Sequence, residues 1–83
     1  MKPEIKLYGT ERCHKTKHYI GYLQNAGLGF TIIDVEESKE NADELRALYE
    51  NRKLNFPTIT IGNKKLRNPS DAELLKWINK LLV

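Results

Sequence analysis

The sequence has a single cysteine, a single tryptophan and no hydrophobic run that approaches the length of a bilayer. One cysteine, Cys13, excludes an internal disulfide framework. Stability must then come from packing, and a lone thiol fits a reducing compartment. A membrane helix needs about 20 consecutive apolar residues, and none is present. Met1-Lys2-Pro3-Glu4 leads directly into a strand-like segment rather than into the apolar region of a signal peptide. A cytoplasmic location and no membrane partner are therefore expected. Excess charge is also scarce: 14 Lys and Arg stand against 11 Asp and Glu, a formal +3. Lys64, Lys65 and Arg67 form a small basic cluster near a turn, but the other cations are spread among acids and read as a solvated face. A nucleic acid would want a continuous basic stripe or interleaved aromatics, so no nucleic-acid partner is expected. A mild attraction for small anions is what remains. No repeat, linker or low-complexity segment appears.

What is there is an ordinary globular composition, with hydrophobic residues at 40% and charged residues at 30% of 83 positions. One domain, residues 1–83, is expected, with a compact core because so short a chain buries only about two-thirds of its unfolded surface. Ile5-Lys6-Leu7-Tyr8 alternates as a short strand, and Gly9-Thr10-Glu11-Arg12 breaks it. From about Cys13 a helical face follows through Thr16, Tyr19, Ile20, Leu23 and Ala26, with Asn25, Gly27 and Gly29 at its exit. Residues 30–35, rich in aromatic and β-branched types, read as a strand buried on much of both sides. A second helix starts after Glu37-Ser38, set by Ala42, Leu45, Leu48 and Tyr49. Thr58-Ile59-Thr60-Ile61 and Lys64-Lys65-Leu66-Arg67 read as strands joined by a Gly62-Asn63 turn, the second suited to a sheet edge. Ser70 caps a last helix whose stripe is Leu74, Leu75, Ile78, Leu81 and Leu82, with Trp77 at its border.

The order is strand, helix, strand, helix, strand, strand, helix. The first three elements form a βαβ unit with parallel strands, and the short turn makes the last two strands antiparallel. A four-stranded mixed sheet with three helices follows. Cys13 then sits at the carboxyl end of a parallel strand, where open α/β sheets place their sites.

A cysteine in the first turn of a helix meets unpaired backbone N–H groups and the positive end of the macrodipole, and both favour the thiolate. Arg12 and Lys15 add positive charge. The competing reading is a buried structural cysteine; the polar, basic neighbourhood argues for exposure and reactivity. Thr16 stands three residues on, where a second thiol could resolve a mixed disulfide. A hydroxyl cannot do so, but it can hydrogen-bond the thiolate or cap the helix start. His14 and His18, four apart on one helix, could join Cys13 as metal ligands, yet no neighbouring carboxylate completes the set. No metal site is expected, and neither histidine has an acidic partner in the sequence. Tyr8, Tyr19 and Tyr22 read as aromatics at the edge of the core.

Tyr8-Gly9-Thr10-Glu11-Arg12-Cys13-His14-Lys15-Thr16 resembles the active-site segment of the glutaredoxin family, in which a strand leads to C-x-x-C or C-x-x-S at a helix start. Asn55-Phe56-Pro57-Thr58-Ile59 looks like the family's Thr-Val-Pro segment, and Asn68-Pro69-Ser70-Asp71 is similar to the Asn-Pro-Ser of small mycoredoxin-like members. The likeness spans nearly the whole chain. It implies a thioredoxin-like α/β fold in the order β-α-β-α-β-β-α, with Cys13 as the catalytic nucleophile and Pro57 as a cis-proline opposite it. It further implies a groove for a thiol ligand or substrate made by Tyr8, Arg12, Lys15, Phe56, Pro57, Ser70 and Asp71. The backbone of Phe56 would pair with the peptide-like part of the ligand, Ser70 and Asp71 would hold its γ-glutamyl end, and Arg12 and Lys15 its carboxylates. The site departs from the family at Thr16, at His14 in place of proline or glycine, at Asn55 in place of threonine, and in lacking the Gly-Phe-Ser tail of cluster-binding monothiol members.

The resulting expectation is a monothiol thiol–disulfide oxidoreductase, with Arg12, Lys15 and Thr16 modulating the thiolate. It needs no permanently bound cofactor; glutathione or a similar low-molecular-weight thiol is its cosubstrate, and its partners are that thiol and thiolated proteins. A monomer is expected. The rival reading is a redox-inactive binding module that uses the groove beside Pro57, with Thr16 as the feature favouring it.

Overall fold

A computed structural model of the chain describes residues 3–53 and 56–82. Its elements are β1 (Ile5–Gly9), α1 (His14–Asn25), β2 (Thr31–Asp34), α2 (Lys39–Ala47), β3 (Thr58–Ile61), β4 (Lys64–Arg67) and α3 (Asp71–Leu82). The sheet order is β2-β1-β3-β4. β1 and β2 run parallel, with Lys6 opposite Thr31 and Gly9 opposite Asp34. β3 is antiparallel to both β1 and β4.

Alternation along the central strands sorts the side chains to two faces. Ile5, Leu7, Ile59, Ile61 and Leu66 point to one side and pack with Tyr19 and Leu23 of α1 and Leu74 and Ile78 of α3. Tyr8 points to the other side, with Val35 and with Leu45 of α2. The major core thus lies under α1 and α3, and a smaller one lies under α2. Ser38 caps α2 by accepting the Asn41 N–H at 3.1 Å, and Ser70 caps α3 by accepting the Glu73 N–H at 3.2 Å. Each cap satisfies one of the first-turn donors that a helix leaves unpaired.

The structure departs from the sequence expectations at the margins. The strand over residues 30–35 shortens to Thr31–Asp34 and lies at the sheet edge, with Thr31 exposed and Ile32 49% exposed. Its β-branched composition indicates strand but carries nothing about position in the sheet, because β3 and not β2 fills the inner place beside β1. α2 ends at Ala47, so Leu48 and Tyr49 reach the smaller core from the turn beyond it. Ala26 lies past the end of α1 and is exposed. Leu75 is 48% exposed: one residue on from buried Leu74, about 100° of helical rotation carries it off the face.

Candidate active site

β1 ends at Gly9, and the chain turns through Thr10–Arg12, where the Cys13 N–H donates to the Thr10 carbonyl at 3.0 Å. Cys13 is the N-cap of α1, with extended backbone, and its carbonyl accepts the Lys17 N–H at 3.1 Å. The thiol is free and partly exposed. Its pKa is lowered: burial acts to raise it, but the Thr16 hydroxyl, the N–H groups of Thr16 and Lys15, and the Lys15 charge outweigh that effect. The sulfur closes no tight side-chain cap, so these are the looser pulls toward the thiolate that a helix start supplies.

Thr16 is buried, and its Oγ1 accepts the Thr10 N–H at 3.4 Å. Gly9 makes room for it: a Cβ at residue 9 would stand 2.7 Å from Thr16 Cγ2 and closer still to Oγ1. The hydroxyl is therefore wedged between the end of β1 and the thiol. Thr16→Val keeps the shape and removes the oxygen. The midpoint of Cys13 alkylation against pH is expected to rise, and the orphaned Thr10 N–H to cost about 1–3 kcal/mol of stability, read by denaturant unfolding.

Arg12 does not serve the thiolate. Its Nε donates to Glu36 Oε1 at 3.0 Å and a terminal nitrogen pairs with Glu36 Oε2. Glu36 Oε1 also accepts the Thr10 hydroxyl at 2.5 Å. The Arg12 guanidinium and Thr10 together hold the Glu36 carboxyl down at about 2. This network ties the loop before Cys13 to the segment after β2. Neither Glu36 nor Thr10 stands out in the sequence, since a partner more than 20 positions away leaves no local pattern.

Just before β3, Phe56 is exposed and Pro57 is buried, joined by a cis peptide bond. The Pro57 carbonyl accepts the Asn68 N–H at 2.9 Å; Asn55 lies outside the described residues. A depression of about 390 Å³ opens between His14, Lys15, His18 and Tyr19 of α1 and Asn68, Pro69 and Ser70 before α3; neither Phe56 nor Pro57 lines it. Its wall is pinned by Tyr19, whose hydroxyl donates to the Pro69 carbonyl at 2.5 Å. Tyr19→Phe is expected to cost about 1 kcal/mol through the unpaired carbonyl, measured as a lower unfolding midpoint with Cys13 alkylation unchanged.

Asp71 reaches His18, with Oδ1 2.7 Å from Nε2. The sequence shows no acidic partner for either histidine because this pair spans 53 positions. Tyr8 does not line the depression. It is buried on the α2 face, and its hydroxyl donates to Glu44 at 2.5 Å. Burial, then Glu44, push its phenol pKa up. Strand alternation explains the correction, for Tyr8 points away from the face that carries α1. Cys13, Lys15 and Thr16 thus meet at the start of α1, Lys15 and Ser70 share the depression between α1 and the turn before α3, and Asp71 is paired to His18, while Arg12 and Tyr8 are committed elsewhere. Among the described residues no three His, Cys, Asp or Glu side chains group so as to hold a metal ion.

The profile of the glutaredoxin family matches residues 5–66. The chain belongs to the glutaredoxin family. Its fold is similar to that of the glutaredoxin grx-1 from Archaeoglobus fulgidus, at 18% identity and a TM-score of 0.77 over 92% of this chain and 86% of that one. It is similar also to the thioredoxin-like protein BC3987, at 19% identity and a TM-score of 0.72 over 90% of this chain and 99% of that one. The holo form of glutaredoxin C1 from Populus tremula x tremuloides matches at 11% identity and a TM-score of 0.66, over 94% and 76% of the two chains. No curated protein sequence matches. Family and fold together support a thiol–disulfide oxidoreductase role for this single-cysteine glutaredoxin.

Proposed function

We propose that this glutaredoxin reduces mixed disulfides between proteins and glutathione or another low-molecular-weight thiol by a monothiol cycle. The observation that carries the reading is the placement of the chain's one thiol, free and partly exposed, at the start of α1 beside Thr16 and Lys15, which favour the thiolate. The Cys13 thiolate attacks the small-thiol sulfur of the mixed disulfide. A Cys13–small-thiol disulfide forms, and the protein thiolate leaves and takes a proton from solvent. A second small thiolate then attacks the small-thiol sulfur on Cys13. This releases the small-molecule disulfide and restores the Cys13 thiolate.

In this reading the exposed Phe56 backbone beside Pro57 offers hydrogen bonds to the peptide-like part of the ligand, and Lys15, Ser70 and Asp71 receive its charged ends. Asp71 must exchange His18 for the ligand in doing so. Thr16 counts for the redox reading rather than for the inert binding module, because its hydroxyl lowers the thiol pKa. The test is steady-state turnover of a glutathionylated peptide with glutathione as reductant, repeated with other low-molecular-weight thiols. Saturable turnover with one of them is expected. A folded protein that turns over none of them would overturn the proposal.

A further inference from the structure

The end of the sheet remote from Cys13 carries a surface that the redox cycle does not use. In the β1–β3 register Tyr8 faces Thr58 and Ile5 faces Ile61. The Gly62-Asn63 turn therefore lies beside the start of β1, whereas Cys13 follows its other end. At that remote end three ammonium groups surround one indole. Lys64 Nζ is 4.2 Å from the centre of the Trp77 ring, Lys80 Nζ 5.0 Å and Lys76 Nζ 5.6 Å. All three lie within the range in which a cation is attracted to the ring face.

None of the three has an acidic partner among the described residues, where the ion pairs involve Lys6, Arg12, His18 and Arg46 instead. The acids of α3, Asp71 and Glu73, sit in its first turn, at the Cys13 end. Like charges are thus crowded onto an aromatic ring with no acidic side chain paired to them among the described residues. Against the same ring opens a depression of about 530 Å³, walled by Trp77, Leu81, Ile61 and Pro3. Of the three lysines Lys64 lines the hollow, while Lys76 and Lys80 approach the Trp77 ring that forms its wall; cations beside an apolar hollow are complementary to an anion that carries an apolar group.

We propose that the Trp77 surface docks an acidic polypeptide segment, one apolar side chain of which enters the Trp77–Leu81 hollow while its carboxylates meet Lys64, Lys76 and Lys80. A polypeptide fits better than a nucleic acid because the cations cluster on a single indole rather than form a stripe. It fits better than a membrane because the apolar feature is a recess rather than a protruding face. Docking there leaves Cys13 open, and the proposal stands whichever small thiol Cys13 uses.

Trp77 is the chain's one tryptophan and reports directly on the site. The full-length protein is titrated with a glutamate-rich peptide bearing one central phenylalanine, while Trp77 emission is followed. A saturable change is expected, weaker for the same peptide with alanine in place of phenylalanine and weakened further by salt. The K64E/K80E variant, checked for an unchanged unfolding midpoint, should bind about tenfold more weakly or worse. No saturable change, equal affinity in the variant, or tighter binding of an oligonucleotide or of phosphatidylserine vesicles would overturn the proposal.

Discussion

Cys13→Ser is expected to reduce the turnover of mixed disulfides to the uncatalysed rate and leave the fold intact. No other thiol exists in the chain to take over the attack, and a serine hydroxyl at a helix start remains protonated at neutral pH. Cys13 is partly exposed, so the stability change should stay within about 0.5 kcal/mol. Turnover and the denaturant midpoint, measured on one preparation, separate a chemical loss from an unfolding one. Residual turnover near the wild-type rate would remove Cys13 from the mechanism altogether.

Gly9→Ala is expected to be the most damaging small change outside the nucleophile. Its new methyl would meet Thr16 Cγ2 at 2.7 Å, and Thr16 is itself buried against the end of β1. Overpacking of this kind costs about 1–3 kcal/mol, a large share of the stability of so small a domain. The same methyl pushes the Thr16 hydroxyl away from the thiol, so the pH midpoint of Cys13 alkylation should rise as well. The double variant Gly9→Ala with Thr16→Ala tests the cause. If the clash is responsible, removing the Thr16 side chain recovers part of the loss, and the two changes are less than additive. Strict additivity would place the damage elsewhere, for instance in the ladder that Gly9 makes with Asp34.

The elements of this fold were legible because their signals are local. The period-two alternation of Ile5 and Leu7, the Ser70 cap and the Gly62-Asn63 turn each act within a few residues, and each appears where the sequence places it. The position of β2 at the edge was not legible, since strand order is decided by which strand pairs with the far side of β1. The site divides in the same way. Cys13 at a helix start and Thr16 three residues on follow from spacing alone. The engagement of Arg12 by Glu36, the pairing of His18 with Asp71 and the inward turn of Tyr8 toward Glu44 depend on residues brought together only by the completed sheet.

Glu36 adds a measurable pH dependence. Its carboxyl falls from an ordinary value near 4.5 to about 2 in the folded chain. A depressed carboxyl pKa contributes stability that is complete above the ordinary value and fades as pH falls toward the folded one. The pair is exposed and solvent-screened, so the contribution is small. Glu36→Gln should flatten the acid limb of unfolding midpoint against pH between about pH 5 and 2 and leave the neutral region little changed.

The thiolate itself is the point on which the functional reading rests, and the rate of Cys13 alkylation by iodoacetamide as a function of pH measures it directly. Cys13 is the one thiol present, so the profile belongs to it without deconvolution. A sigmoid with its midpoint below the ordinary thiol value of about 8.5, moving upward in Thr16→Val, is the expected result. A midpoint at or above that value, unmoved by Thr16→Val, would contradict the assignment of Cys13 as an activated nucleophile.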